Sequence, residues 1–270
     1  MSILTRNAVT IRGSGTKPML FVHGYGCDQQ IWRYIAPHFE ASHKVVLYDH
    51  VGSGSSDLSA YDKMRYATLQ AYADDMSELC DELGLTGIDV LAHSVGCMIT
   101  VLAAKKRPDL FDRVMLLGPS PCYIDDGDYV GGFNREGIEE LLAFMAINQE
   151  GLAANLAPMV MRNDDRPELA AELEAFFCRN DPDIFHHFAG VLFFSDHRAD
   201  IDGFEHPCLI MQCQDDIVAP IEVGMFMHDV MPGSELMVLD TFGHYPQLSS
   251  PDVVTHAVTC YLSRAMSLAA

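Results

Sequence analysis

Residues 88–106, IDVLAHSVGCMITVLAAKK, join an apolar run of strand length, Ile88–Ala92, to a helical stretch, Val95–Lys106, with Ser94 at the junction. The residues two before and two after the serine, Ala92 and Gly96, are small. A tight strand-to-helix turn needs that spacing, because large side chains there collide with the neighbouring strand and helix while the turn exposes the serine Oγ. The same turn sets Ser94 at a helix N-terminus, where backbone N–H groups stabilise negative charge. The usual form of such an elbow carries glycine at both small positions; here the first is Ala92.

Further strand-length runs flank this stretch: Met19–His23, Lys44–Asp49, Arg113–Leu117, Cys208–Gln212 and Glu235–Leu239, with Ala8–Arg12 as an early edge. Helical periodicity falls between and after them, in Arg65–Leu83, Ile221–Val230 and Val253–Met266. This alternation predicts an α/β fold, a mostly parallel central sheet flanked by helices. From Ser120 to about Arg198 the strand signal stops and four helices are expected, Asn134–Asn148, Glu150–Arg162, Pro167–Arg179 and Pro182–Phe194, with Asp165 and Asp181 as caps ahead of first-turn prolines. The expected organisation is therefore one core, residues 1–119 and 199–270, carrying a helical lid insertion at 120–198. The insertion is rich in large apolar residues: Phe133, Phe144, Met145, Phe176, Phe177, Phe185, Phe188, Phe193 and Phe194. Most are expected to pack lid onto core, and the remainder to line a pocket.

An apolar fraction of 49% with 20% charged residues is globular composition, and no run approaches the roughly 18 uncharged apolar residues of a membrane span. The start, MSILTRNAVTIRGSGTKP, has none of the features of a secretory signal, which makes the cytoplasm the expected location. The eight cysteines are scattered without a C-x-x-C pair and are read as mostly buried thiols rather than a disulfide or zinc framework. A formal charge of −21 repels polyanions, so no nucleic-acid partner is expected.

Three further segments follow strand runs. His23-Gly24-Tyr25-Gly26 can turn so that the Tyr25 amide, together with that of Val95, faces a developing oxyanion. Gln214-Asp215-Asp216 supplies two adjacent carboxylates, and Gly243-His244 a histidine. Serine, aspartate and histidine thus occur in that order, each beyond a strand end, where parallel α/β sheets place their sites. Such a set performs acyl transfer to water: the histidine takes the serine proton and a carboxylate orients the imidazole. No cofactor or metal is required.

Seven segments together resemble the α/β-hydrolase superfamily, and within it the RsbQ-like bacterial stress-response hydrolases and the plant karrikin and strigolactone receptors. They are HGYGCDQQIW (23–32), LYDHVGSGSSDLSAYD (47–62), AHSVG (92–96), GPSPCYIDD (118–126), FFSDHR (193–198), QCQDDIVAP (212–220) and GHYPQLSSPD (243–252). The resemblance implies a four-helix, V-shaped lid over an apolar pocket and a triad of Ser94, Asp216 and His244. It also implies a pocket lined by Tyr25, Tyr123, Phe133, Leu156, Phe193 and Val218. Relatives often carry Phe where this chain has Tyr25, and a buried phenol there needs a partner. The activity implied is hydrolysis of an ester or lactone of a small hydrophobic molecule. The alternative is a slow-turnover signalling module acting on a partner phosphatase.

Overall fold

The computed structural model describes residues 2–268, so the outermost expected core bounds, 1 and 270, lie outside the described residues. Among those residues, β1 (Thr10–Arg12), β2 (Lys17–Val22), β3 (His43–Leu47), β4 (Ile88–His93), β5 (Phe111–Leu117), β6 (Cys208–Asp215) and β7 (Ser234–Phe242) form one sheet. The strand order is β1-β3-β2-β4-β5-β6-β7, with β1 antiparallel to β3 and every other pair parallel. The helices are α1 (Ile3–Arg6), α2 (Leu69–Glu82), α3 (Val95–Lys106), α4 (Arg135–Ile147), α5 (Gln149–Met161), α6 (Pro167–Cys178), α7 (Pro182–Phe193), α8 (Arg198–Ile201), α9 (Ile221–Val230), α10 (Pro246–Ser249) and α11 (Pro251–Leu268).

The sheet core follows from the runs that predicted it. Every residue of β4 is buried, because a central parallel strand is covered on both faces. In α3 every residue from Val95 to Ala104 is buried, and the exposed end is the Lys105-Lys106 pair. A helix apolar all round has to lie inside the molecule. The chain runs from β2 outward to β3, then returns through α2 to β4 on β2's other side. The crevice beyond the carboxyl ends of β2 and β4 is thus a topological switch point, the usual ligand place of such sheets.

All four insertion helices lie between β5 and β6, with α5 packed on α6 and α4 on α7. Asn134, Asn148 and Asp181 cap α4, α5 and α7 through side-chain oxygens that accept backbone N–H bonds. The expectation that Asp165 caps α6 is not met: Arg166 is the N-cap and makes no side-chain capping bond. The helix expected from Arg65 begins instead at Leu69. The Asp62 carboxylate accepts the Met64 and Arg65 amides in a turn, while the Tyr66 hydroxyl donates to Asp75 at 2.7 Å. Those bonds compete with a helical start, as aspartate in turns does.

Asp89, fully buried in β4, accepts two bonds from the Arg113 guanidinium at 2.8 and 2.6 Å, with His43 and Lys17 at 3.6 and 3.9 Å. Burial pushes its carboxyl up, but His43, Arg113 and Lys17 outweigh that and hold it below the usual carboxylate range. A depressed folded-state pKa contributes stability above the unfolded value, near 3.9, and that stability is lost as pH falls through the lower folded value. Asp89→Asn is therefore expected to cost about 3 kcal/mol at pH 7, since it leaves a mostly buried guanidinium without its partner. Urea unfolding at pH 7 and at about pH 3 measures the cost and its expected shrinkage with acid; equal stability of the two proteins at pH 7 would contradict it.

Candidate active site

Strand β4 passes into α3 through Ser94 alone, at φ 55° and ψ −126°. A non-glycine residue with φ in the left-handed range costs about 1–3 kcal/mol and persists only where its surroundings impose it. Here β5 holds the Ser94 amide through the Leu117 carbonyl at 2.9 Å. A Cβ on Gly96 would lie 2.7 Å from the His23 carbonyl, so only glycine lets the helix sit this close to β2. Ala92 is wholly buried, and its methyl is accommodated in the elbow.

Asp216 follows a bulge at the end of β6, and His244 follows β7. Ser94 Oγ lies 2.8 Å from His244 Nε2, and His244 Nδ1 lies 2.6 Å from Asp216 Oδ2. A carboxylate only accepts, so Nδ1 carries the proton and Nε2 is left to accept from the serine hydroxyl. The other Asp216 oxygen accepts the Val218 and Ala219 amides at 2.8 and 3.1 Å, which fixes the carboxylate's orientation. All three residues are buried. Asp215 points elsewhere and forms an ion pair with Arg162 at the end of α5.

The Tyr25 loop is set by two buried imidazoles. His23 accepts the His50 amide at Nε2 (3.0 Å), so its Nδ1–H donates to the Gly24 carbonyl (2.9 Å), while His50 Nε2–H donates to the His23 carbonyl (3.0 Å). Across a planar trans peptide C=O and N–H point oppositely, so the Tyr25 amide is turned away from the His23 ring. Neither the Tyr25 nor the Val95 amide has an acceptor among the described residues. Two unengaged N–H groups, one at a helix N-terminus, are what an oxyanion needs.

A cavity of about 360 Å³ opens onto Ser94 and His244. Tyr25, Tyr123, Phe133, Leu156, Phe193 and Val218 all line it. The sequence did not point to Leu141, Leu192, Ile217 or Tyr245, which also line it. Of the insertion's large apolar residues, Met145 and Phe177 also reach the cavity, whereas Phe176, Phe185 and Phe188 are buried in packing and Phe144 and Phe194 face outward. The Tyr123 hydroxyl is buried without a partner among the described residues. The Tyr25 phenol donates to the Phe185 carbonyl of α7 at 2.9 Å and touches Met145 Sδ, so it tethers the loop to the insertion and its hydroxyl is already engaged.

The insertion also reaches the histidine. The His244 amide donates to the Val160 carbonyl of α5 at 2.7 Å, and a Cβ on Gly243 (φ 81°) would lie 2.1 Å from the Met161 carbonyl. The glycine before His244 is thus required by the close approach of α5.

A family profile described as alpha/beta hydrolase fold matches residues 17–251. The chain belongs to the alpha/beta hydrolase fold family. It is 36% identical to the strigolactone esterase RMS3 of Pisum sativum over 97% of this chain and 98% of that one. It is 35% identical to the karrikin insensitive 2 receptor CA of Petunia hybrida, over 91% and 92%. The solved structure of a hydrolase from Oleispira antarctica superposes with a TM-score of 0.94 at 36% identity, covering 97% of this chain and 96% of that one. The narrower RsbQ-like placement is not among these matches, but relatives named esterases and hydrolases mark this alpha/beta hydrolase as a hydrolase. No helix among the described residues is long and apolar enough to cross a membrane.

Tyr25→Phe keeps the backbone amide and removes one buried hydrogen bond to α7. It is expected to cost about 1 kcal/mol of stability and to speed amide exchange across Pro182–Phe193. Mass-detected hydrogen exchange checks this, and unchanged exchange in that helix would deny the tether.

Proposed function

We propose that the chain hydrolyses an ester or lactone of a small, largely apolar molecule through an acyl-enzyme on Ser94. The observation that carries this reading is the hydrogen-bonded run Ser94–His244–Asp216 opening onto an apolar cavity of about 360 Å³. Cavities that enclose small ligands span about 300–1,000 Å³, so this one suits a compact substrate. His244 Nε2 takes the Ser94 proton as Oγ bonds to the substrate carbonyl carbon, and the tetrahedral oxyanion faces the Tyr25 and Val95 amides. The ester C–O bond then breaks and the leaving oxygen receives the proton from His244. Water repeats the sequence on the acyl-serine and releases the acid. Asp216 holds the imidazole in the reacting tautomer and stabilises its cation.

In this reading residues 120–198 act as the lid and set substrate size, while the core, 1–119 and 199–270, supplies the chemistry. The eight free cysteines fit a reducing compartment such as the cytoplasm. The narrower RsbQ-like placement rests on the sequence motifs alone, and the names of the relatives lend a partner phosphatase no support. A second reading, a receptor that turns over slowly, is favoured by the relative named a karrikin receptor. Multiple-turnover kinetics separate the two: steady product release supports the enzyme, and a single burst that stalls supports the receptor.

Ser94→Ala is expected to lower kcat on short chromogenic esters by more than about 10³-fold while the protein stays folded. Asp216→Asn is expected to lose about 10⁴-fold, because an amide favours the wrong tautomer. Asp215→Asn, which breaks only the pair with Arg162, is expected to stay within about tenfold of wild type. A larger loss at 215 than at 216, with both proteins folded, would overturn the assignment.

A further inference from the structure

We propose that His93 is a positioning residue for His244, holding the acid–base histidine from the elbow side through its backbone carbonyl. His93 Nε2 lies 2.8 Å from the His244 carbonyl oxygen. A carbonyl only accepts, so the proton sits on Nε2. That tautomer leaves Nδ1 as a bare acceptor, and Nδ1 is indeed buried without a partner among the described residues. A fully buried side chain with one orphaned polar atom costs stability that a phenylalanine or leucine in the same space would not. The donor at Nε2 is what the imidazole supplies in return.

The consequence lies in how His244 is held. Its N–H is taken by Val160 of α5 and its C=O by His93 of the elbow. Because His93 directly precedes Ser94, the residue that would accept the serine proton is tied to the serine's own turn. The two rings stand 4.8 Å apart between centroids. Burial first, and then the charge His244 would carry, pushes His93 well below the ordinary imidazole range, so His93 stays neutral and adds no like charge when His244 becomes a cation. His93 does not meet substrate; it acts through His244.

This inference rests on the proposed triad, and the test keeps the two apart. His93→Phe fills the space without a donor, His93→Gln restores an N–H close to the place of Nε2, and Ser94→Ala reports on the triad itself. The expected result is a kcat loss on the order of 10²-fold in His93→Phe with little change in KM, since a small misplacement of a reacting group costs about that much. His93→Gln is expected to recover to within about threefold of wild type. Proton NMR gives a second readout: the downfield imidazole N–H resonance of the His244–Asp216 pair should broaden or move in His93→Phe and return in His93→Gln. Should the phenylalanine variant not fold, His93→Asn takes its place, because its amide is too short to reach the carbonyl. Equal loss in the donor-less and glutamine variants would assign the effect to packing and overturn the proposal. So would a donor-less variant with wild-type kcat and an unmoved resonance. Full activity in Ser94→Ala would instead refute the triad and leave the His93–His244 bond to be judged by the resonance alone.

Discussion

Ser94 is held at φ 55°, a backbone state that an L side chain avoids, and the rest of the site is arranged around keeping it there. The Leu117 carbonyl fixes its amide, which requires β4 and β5 to pair in the register Ala92↔Leu116. Its own carbonyl accepts from Cys97 and begins α3. The burial of α3 against the sheet is what offsets the strain locally. At about 25 cal/mol per Å² of apolar surface, a helix apolar on every side contributes far more than the turn costs. The strained turn then delivers two things at once, an Oγ facing the cavity and a helix N-terminus beside it.

The molecule separates stability from chemistry along the sheet. Asp89, at the amino end of β4, is buried with Arg113 and satisfied by it. At the carboxyl end of the same strand the amides of Tyr25 and Val95 and the Tyr123 hydroxyl are left unengaged among the described residues. Buried polar groups are normally paired, and in the proposed reaction these three are the ones beside Ser94 that a bound substrate would engage. The helical insertion belongs to this end as structure, not merely as cover. Val160, Arg162 and the Tyr25–Phe185 bond join it to the histidine, the Asp215 turn and the Tyr25 loop.

Much of this was legible because it rests on local pattern. The apolar runs gave six core strands and the elbow helix, and α9 begins and ends where its periodicity does. Position beyond strand ends was enough to bring Ser94, Asp216 and His244 to one crevice. What was hidden depends on partners distant in sequence. Nothing local tells that Tyr66 bonds Asp75 and delays α2 to Leu69, nor that Asp215 meets Arg162. The Tyr25 phenol finds its partner at Phe185, 160 residues away. Nothing in the elbow's local pattern singles out His93, whose bond to the His244 carbonyl spans 151 residues.

The proposed hydrolysis requires Ser94 to be the nucleophile of this cavity. Peptide mapping by mass spectrometry after treatment with a fluorophosphonate tests it most directly, with and without a short ester present as competitor. Stoichiometric adduct is expected on the peptide containing Ser94, slowed by the ester. An adduct confined to another residue, or ester hydrolysis that continues after Ser94 is fully modified, would contradict it.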